Sequence, residues 1–173
     1  FMSWFMPTIA VRKLIDIPIS LLHEMGVEAV FLDVDNTIAL HGSMTPFEGT
    51  VEWTHKVREA GIKMIILSNN LKKRVGPLAE KFDLPYICFS QKPFPLGLPY
   101  AKKMSGIPPK KIVLIGDQIF TDVLGANWHG MKSILLVPAQ EEGGLSFRFR
   151  RTIEKPVRRK ITFWKPGDPV RKD

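Results

Sequence analysis

The sequence predicts a doubly wound α/β domain with a mainly parallel five-stranded sheet and helices on both faces. Three observations carry that prediction. Five short, continuously apolar runs recur along the chain, at 29–33, 62–67, 86–89, 112–116 and 133–137. Continuous rather than alternating hydrophobicity is what a parallel sheet covered on both faces demands. Amphipathic segments at 47–60, 72–82, 97–105 and 119–128 fill the gaps, giving the strand–helix alternation of an α/β fold. Finally, polar residues gather just after the apolar runs, and sheets of this kind place their sites at the carboxyl ends of their strands.

Taken in order, the chain opens with FMSWFMPTIAV, eleven largely apolar residues followed by Arg12 and Lys13. A signal peptide carries its charge before the apolar stretch, so this order argues against secretion. A helix is expected over about 8–24, before the first strand. Strand 29–33 ends in Asp33, strand 62–67 runs into Ser68 and Asn69, strand 86–89 leads to Ser90, Gln91 and Lys92, and strand 112–116 ends at Asp117. Gly61 and Gly130 stand where helices 47–60 and 119–128 should stop. Ser68 follows Asp33 by 35 positions, and Lys92 follows Asn69 by only 23. Each interval is used by one helix and one strand, so neither has room for an inserted domain. After Pro138 the pattern dissolves into AQEEGGLS and a basic tail. The division expected is an N-terminal helical segment (1–28), a catalytic domain (29–147) and a basic extension (148–173).

Composition is that of an ordinary core-forming domain: 173 residues, 45% hydrophobic. The single cysteine, Cys88, cannot form an internal disulfide and sits in the apolar run YICF. No apolar run reaches the ~18–20 residues of a membrane helix. The net charge is +8, but the tail from 148 holds ten Lys/Arg against three Asp/Glu, so +7 of it resides there. Basicity therefore belongs to the tail. An anionic membrane surface or nucleic acid is its natural partner, unless Ile153, Val157, Ile161 and Phe163 fold it back on the domain.

The chemistry concentrates in four places. In D-V-D-N-T (33–37), residues two apart project to one side of an extended segment, so Asp33, Asp35 and Thr37 can converge. One carboxylate could attack phosphorus while a second moves protons. Asp, Asn and Thr also favour helix caps. L-S-N-N (67–70) offers a hydroxyl and amides at a helix start, a phosphate cradle or an ordinary cap. Lys92 in S-Q-K-P-F-P could neutralise phosphoryl charge. G-D-Q-I-F-T-D (116–122) adds Asp117 and Asp122. Several carboxylates in one crevice repel unless a cation intervenes, and oxygen ligands without His or Cys favour Mg²⁺ over zinc. The histidines at 23, 41, 55 and 129 show no ligand spacing.

Together, DVDNT, LSNN, a loop lysine and GDQIFTD, in that order and after the appropriate strands, resemble the haloacid-dehalogenase (HAD) superfamily of phosphatases, whose domain is Rossmann-like. The wording SNN…RV, QKP and GDQIFTDVLGAN is similar to the small, capless YqeG-type branch, subclass IIIA, which resembles phosphatidylglycerophosphate phosphatases. The resemblance implies a nucleophile and metal ligand in Asp33. It implies a general acid/base in Asp35, which would also lend its backbone carbonyl to Mg²⁺. Thr37 would support the loop, Ser68 and Asn69 would bind the phosphoryl group, and Lys92 would stabilise charge. Asp117 would hold Mg²⁺ directly, and Asp122 through water or from behind the direct ligands.

The expected function is thus Mg²⁺-dependent phosphomonoester hydrolysis through an aspartyl-phosphate, with phosphatidylglycerophosphate as the preferred substrate. The expected setting is cytoplasmic, peripheral at the inner membrane face, with self-association one way to close an open site. Other phosphate substrates, or nucleic-acid binding by the tail, are the alternatives. A phospho-receiver is disfavoured because residues 88–91, CFSQ, lack the acid it would need.

Overall fold

A computed structural model describes residues 2–88, 90, 97–138 and 144–170. Its centre is a parallel sheet of six strands: β1 (Ile9–Val11), β2 (Ala29–Leu32), β3 (Lys63–Leu67), β4 (Tyr86–Ile87), β5 (Ile112–Gly116) and β6 (Lys132–Leu136). Their order across the sheet is β1-β6-β5-β2-β3-β4. The helices are α1 (Ile19–Glu24), α2 (Thr50–Glu59), α3 (Lys72–Phe82), α4 (Gly97–Ser105), α5 (Leu124–Trp128) and α6 (Leu145–Arg158). β2, β5 and β6 are buried throughout, which is why β2, β5 and the Ile134–Leu136 half of β6 read as apolar runs. One face of the sheet packs a cluster including Val30, Ile66, Phe82 and Val113. The other packs Phe31, Leu67, Leu98 and Leu114. The segment 33–49, with short bridges from Ala39 to Asp35 and to Pro46, and then α2 link β2 to β3, while α3 links β3 to β4.

The first segment departs from expectation. In place of a helix over 8–24, the chain forms a 3₁₀ turn (Met2–Phe5), β1, a second 3₁₀ turn (Leu14–Asp16) and the short α1. Hence the sheet has six strands rather than five. Pro18 explains part of this, because proline lacks the N–H a continuous helix needs and starts α1 instead. Ile9, Ala10 and Val11 pair in register with Ile134, Leu135 and Leu136. Reciprocal hydrogen bonds lock the pairing, from Thr8 N–H to Ser133 Oγ (3.2 Å) and from Ser133 N–H to Thr8 Oγ1 (3.0 Å).

The 119–128 helix is also modified: Ile119–Val123 form one wider π turn before α5. The basic tail, for which no helix was expected, builds the 14-residue α6. Val157, Ile161 and Phe163 pack against Ala10, Ile119, Val123 and Leu135, while Trp164 N–H bonds Ala10 O at 2.8 Å. Ile153, by contrast, is 43% exposed. Among the described residues no helix is long and apolar enough to cross a membrane.

Candidate active site

β2 and β5 lie side by side, with Leu32 opposite Ile115, so the residues following them emerge together. Asp33 N–H continues the ladder to Ile115 O at 2.9 Å. The chain then turns sharply. Asn36 adopts a left-handed φ of 58°, a conformation Asn tolerates better than most residues. Thr37 and Ile38 both donate their N–H groups to Val34 O, at 3.1 and 3.0 Å. This turn separates the two acids that the sequence sets two apart.

Asp33 faces Asp117 and Asp122: one carboxylate oxygen from each lies within 4.8 Å of the other two. Asp117 is fully buried and Asp122 nearly so. The π turn brings Asp122 back over Gly116, and Asp122 Oδ2 accepts the Gln118 N–H at 3.2 Å. A Cβ on Gly116 would lie 2.1 Å from that same oxygen, so a residue without a side chain is required there. Three converging, buried carboxylate oxygens with no His or Cys form a donor set that suits a hard divalent cation. Mg²⁺ fits these residues.

Asp35 has different neighbours. Its carboxylate takes Asn70 Nδ2–H and pairs with Arg74 Nη2 at 2.8 Å, while His41 Nδ1 stands 3.6 Å away. Arg74, on the first turn of α3, also donates to Leu40 O (3.0 Å) and to Ser43 O. Lys81 Nζ donates to Met44 O at 2.5 Å. α3 therefore holds the 40–44 loop as well as the second acid.

β3 delivers the third group. Ser68 is buried and its Oγ accepts the Asn70 N–H at 3.1 Å. Asn69 Oδ1 accepts from Ser90 Oγ at 2.8 Å. Lys92 lies outside the described residues. Ser90 and Gly97, the nearest described residues on either side of it, are joined, with Gly97 N–H donating to Ser90 O at 3.0 Å. Thr37 Oγ1 is buried with no hydrogen-bond partner among the described residues. Thr37 borders a cavity of about 750 Å³, walled by Ile15, Phe47 and Val137 and flanked by Arg12 and Lys13.

Two contributors lay outside the sequence expectations. Arg74 stood in the sequence only as the R of the SNN…RV wording, with no role assigned to it. Arg151 of α6 places Nη2 2.8 Å from Asp117 Oδ2. Its signal was R-x-x-E-x-x-x-R (151–158), three charges at one-face helical spacing inside a predominantly basic tail.

Comparison with known proteins agrees with this geometry. The description of haloacid dehalogenase-like hydrolases matches residues 9–130. The probable phosphatase YqeG of Bacillus subtilis is 32% identical over 155 residues, covering 90% of each chain. A phosphoglycolate phosphatase of Pseudomonas fluorescens is 31% identical over 94 residues, 49% of this chain and 33% of its own length. In three dimensions, the cobalt-bound deoxy-D-mannose-octulosonate 8-phosphate phosphatase of Haemophilus influenzae matches with a TM-score of 0.54 and 12% identity. That match covers 73% of this chain and 76% of the other, and is a likeness of fold.

Proposed function

The chain belongs to the haloacid dehalogenase-like hydrolases, and from that premise we propose that it hydrolyses phosphomonoesters through an aspartyl-phosphate on Asp33, with Mg²⁺ as its metal. The observation that carries this reading is the division of the acids: Asp33 meets Asp117 and Asp122, whereas Asp35 has its own partners, Asn70 and Arg74. Asp33, Asp117 and Asp122, with the Asp35 carbonyl, would hold the metal. When bound, it neutralises charge between an anionic nucleophile and an anionic phosphate.

The residues then divide the work. A carboxylate oxygen of Asp33 attacks phosphorus, and the bond from phosphorus to the ester oxygen breaks. Asp35 gives a proton to that departing oxygen. Ser68 and the Asn69 amide hold phosphoryl oxygens, Lys92 offsets their charge, and Thr37 supports the turn. Asp35 next takes a proton from water, whose oxygen attacks phosphorus and breaks the bond to Asp33, releasing inorganic phosphate.

For the substrate we favour a phosphomonoester on an anionic lipid, phosphatidylglycerophosphate above others. Three features support this reading. The intervals on either side of β3 hold no inserted domain, leaving an open, capless site. The cavity beside Thr37 combines apolar walls with Arg12 and Lys13, a match for an acyl body carrying a second negative group. On α6, Leu145, Phe149 and Ile153 recur every fourth residue and are 86%, 67% and 43% exposed. Arg148, Lys155 and Arg159 flank them, exposed as well. Such a stripe suits the surface of an anionic membrane on the cytoplasmic side, where each Lys/Arg contributes about 1 kcal/mol.

The test is a phosphatase panel with and without Mg²⁺, comparing wild type with Asp33→Asn. Phosphate release from the lipid substrate should exceed that from phosphoglycolate, sugar phosphates and nucleic-acid ends, and should vanish in the variant. Equal slow turnover of everything would rule out the lipid assignment. Release that survives Asp33→Asn would rule out the mechanism.

A further inference from the structure

We infer that the C-terminal helix α6 is part of the active site, and that Arg151 is a positioning residue for the metal ligand Asp117. The inference rests on the metal-site reading above but goes beyond its four motifs, all of which end by residue 122.

The contact is a fixture rather than a passing surface pair. Arg151 Nη2 bonds Asp117 Oδ2 at 2.8 Å, and Arg151 Nη1 bonds Asp117 O at 3.0 Å. One guanidinium thus grips both the side chain and the backbone of the same residue. Its own position is set by Glu154, which is 1% exposed and accepts from Arg151 Nη1 at 3.3 Å. Glu154 Oε2 also accepts from Arg158, at 3.0 Å from Nε and 2.8 Å from Nη2. Arg158 Nη2 returns to Asp117 O at 2.7 Å. The other Glu154 oxygen, Oε1, receives the N–H groups of Ile119 and Phe120 at 3.0 and 3.3 Å, at the start of the π turn that carries Asp122.

A buried carboxylate whose partners are all hydrogen-bonded costs little to retain, and one left without them costs a great deal. Glu154 therefore fixes two things at once: the backbone between Asp117 and Asp122, and the arginine that orients Asp117. The convergence of Asp33, Asp117 and Asp122 within 4.8 Å exists with this clamp in place. Partners of metal ligands act in this way, and losing one weakens metal binding by about 10–100-fold. Simple electrostatics predicts the opposite sign, since deleting a cation beside a cation site should tighten binding. The two accounts are therefore separable by experiment.

Mn²⁺ serves as the probe, with free ion counted by electron paramagnetic resonance during titration of the full-length protein. Wild type should bind, and Asp117→Asn should abolish binding. Arg151→Met should weaken it by about 10–100-fold. Arg151→Lys should be intermediate, because an ammonium cannot reproduce the two-point fork. Glu154→Gln should weaken binding without touching either aspartate. Thermal unfolding in chelator verifies that each variant is folded, and if Arg151→Met is not, the lysine variant carries the comparison, because losing the Glu154 charge weakens cation binding on either account. Unchanged or tighter Mn²⁺ binding in the folded variants would overturn the inference while leaving the metal site intact. A wild-type protein that binds no Mn²⁺ would overturn both.

Discussion

Replacing Gly116 by alanine should dismantle the metal site from beneath. The added Cβ would fall 2.1 Å from Asp122 Oδ2 and 2.3 Å from its Cγ. A non-bonded contact needs about 3.5 Å, so the carboxyl group must retreat by more than about 1 Å. Asp122 has little freedom to do so: it is 1% exposed and holds the Gln118 N–H. Overpacking of this kind costs about 1–3 kcal/mol of stability. A ligand displaced by about 1 Å also leaves the narrow distance range that Mg²⁺ accepts, so metal affinity should fall about 10–100-fold. Urea unfolding gives the first quantity and Mn²⁺ titration the second. A double-mutant cycle with Asp122→Ala isolates the cause, because removing the carboxylate should leave Gly116→Ala far less damaging. Wild-type stability and metal affinity in Gly116→Ala would refute the packing argument. So would equal damage with and without the Asp122 side chain.

Two further outcomes follow from the structure. Arg74→Met should leave the metal trio intact but release Asp35 and the 40–44 loop. It should lower kcat by no more than the ~10²–10⁴-fold that an acid–base group contributes, with unchanged Mn²⁺ affinity as the control. His129 supplies a pH dependence: burial first, and Lys102 second, push its imidazole below the ordinary value. The unfolded chain then binds the extra proton more readily as pH falls below about 6.5. Stability present above that pH should be lost as the pH drops toward the folded-state value, and His129→Gln should flatten the urea-midpoint profile in that window.

Much of this architecture could be read from the sequence because burial on both faces leaves an unmistakable mark. β2 and β5 are continuous apolar runs, β6 is apolar from Ile134 on, and the acids that end or follow β2 and β5 stand at the sheet's carboxyl edge. The N-terminal strand was not legible in the same way. Residues 9–25 place buried side chains at Ile9, Leu14, Ile17, Leu21 and Met25, a spacing that a helix also satisfies. What decides for a strand is pairing with Ile134–Leu136, more than a hundred residues away. Arg74 and Arg151 escaped for a related reason. They reach their carboxylates across 39 and 34 residues, and no local pattern in the chain announces such a pairing. The tail illustrates the same limit. Its charge suggested a surface, and one face of α6 does stay exposed, but Glu154 and Val157 turn the opposite face inward.

The central claim is that Asp33 carries the phosphoryl group between substrate and water. The most direct measurement is rapid acid quenching during turnover with Mg²⁺, followed by borohydride reduction and peptide mapping. An acyl-phosphate reduces to an alcohol, so the account predicts homoserine in place of aspartate at position 33 and nowhere else. Turnover that continues while position 33 remains unmodified, or reduction found at another residue, would contradict it.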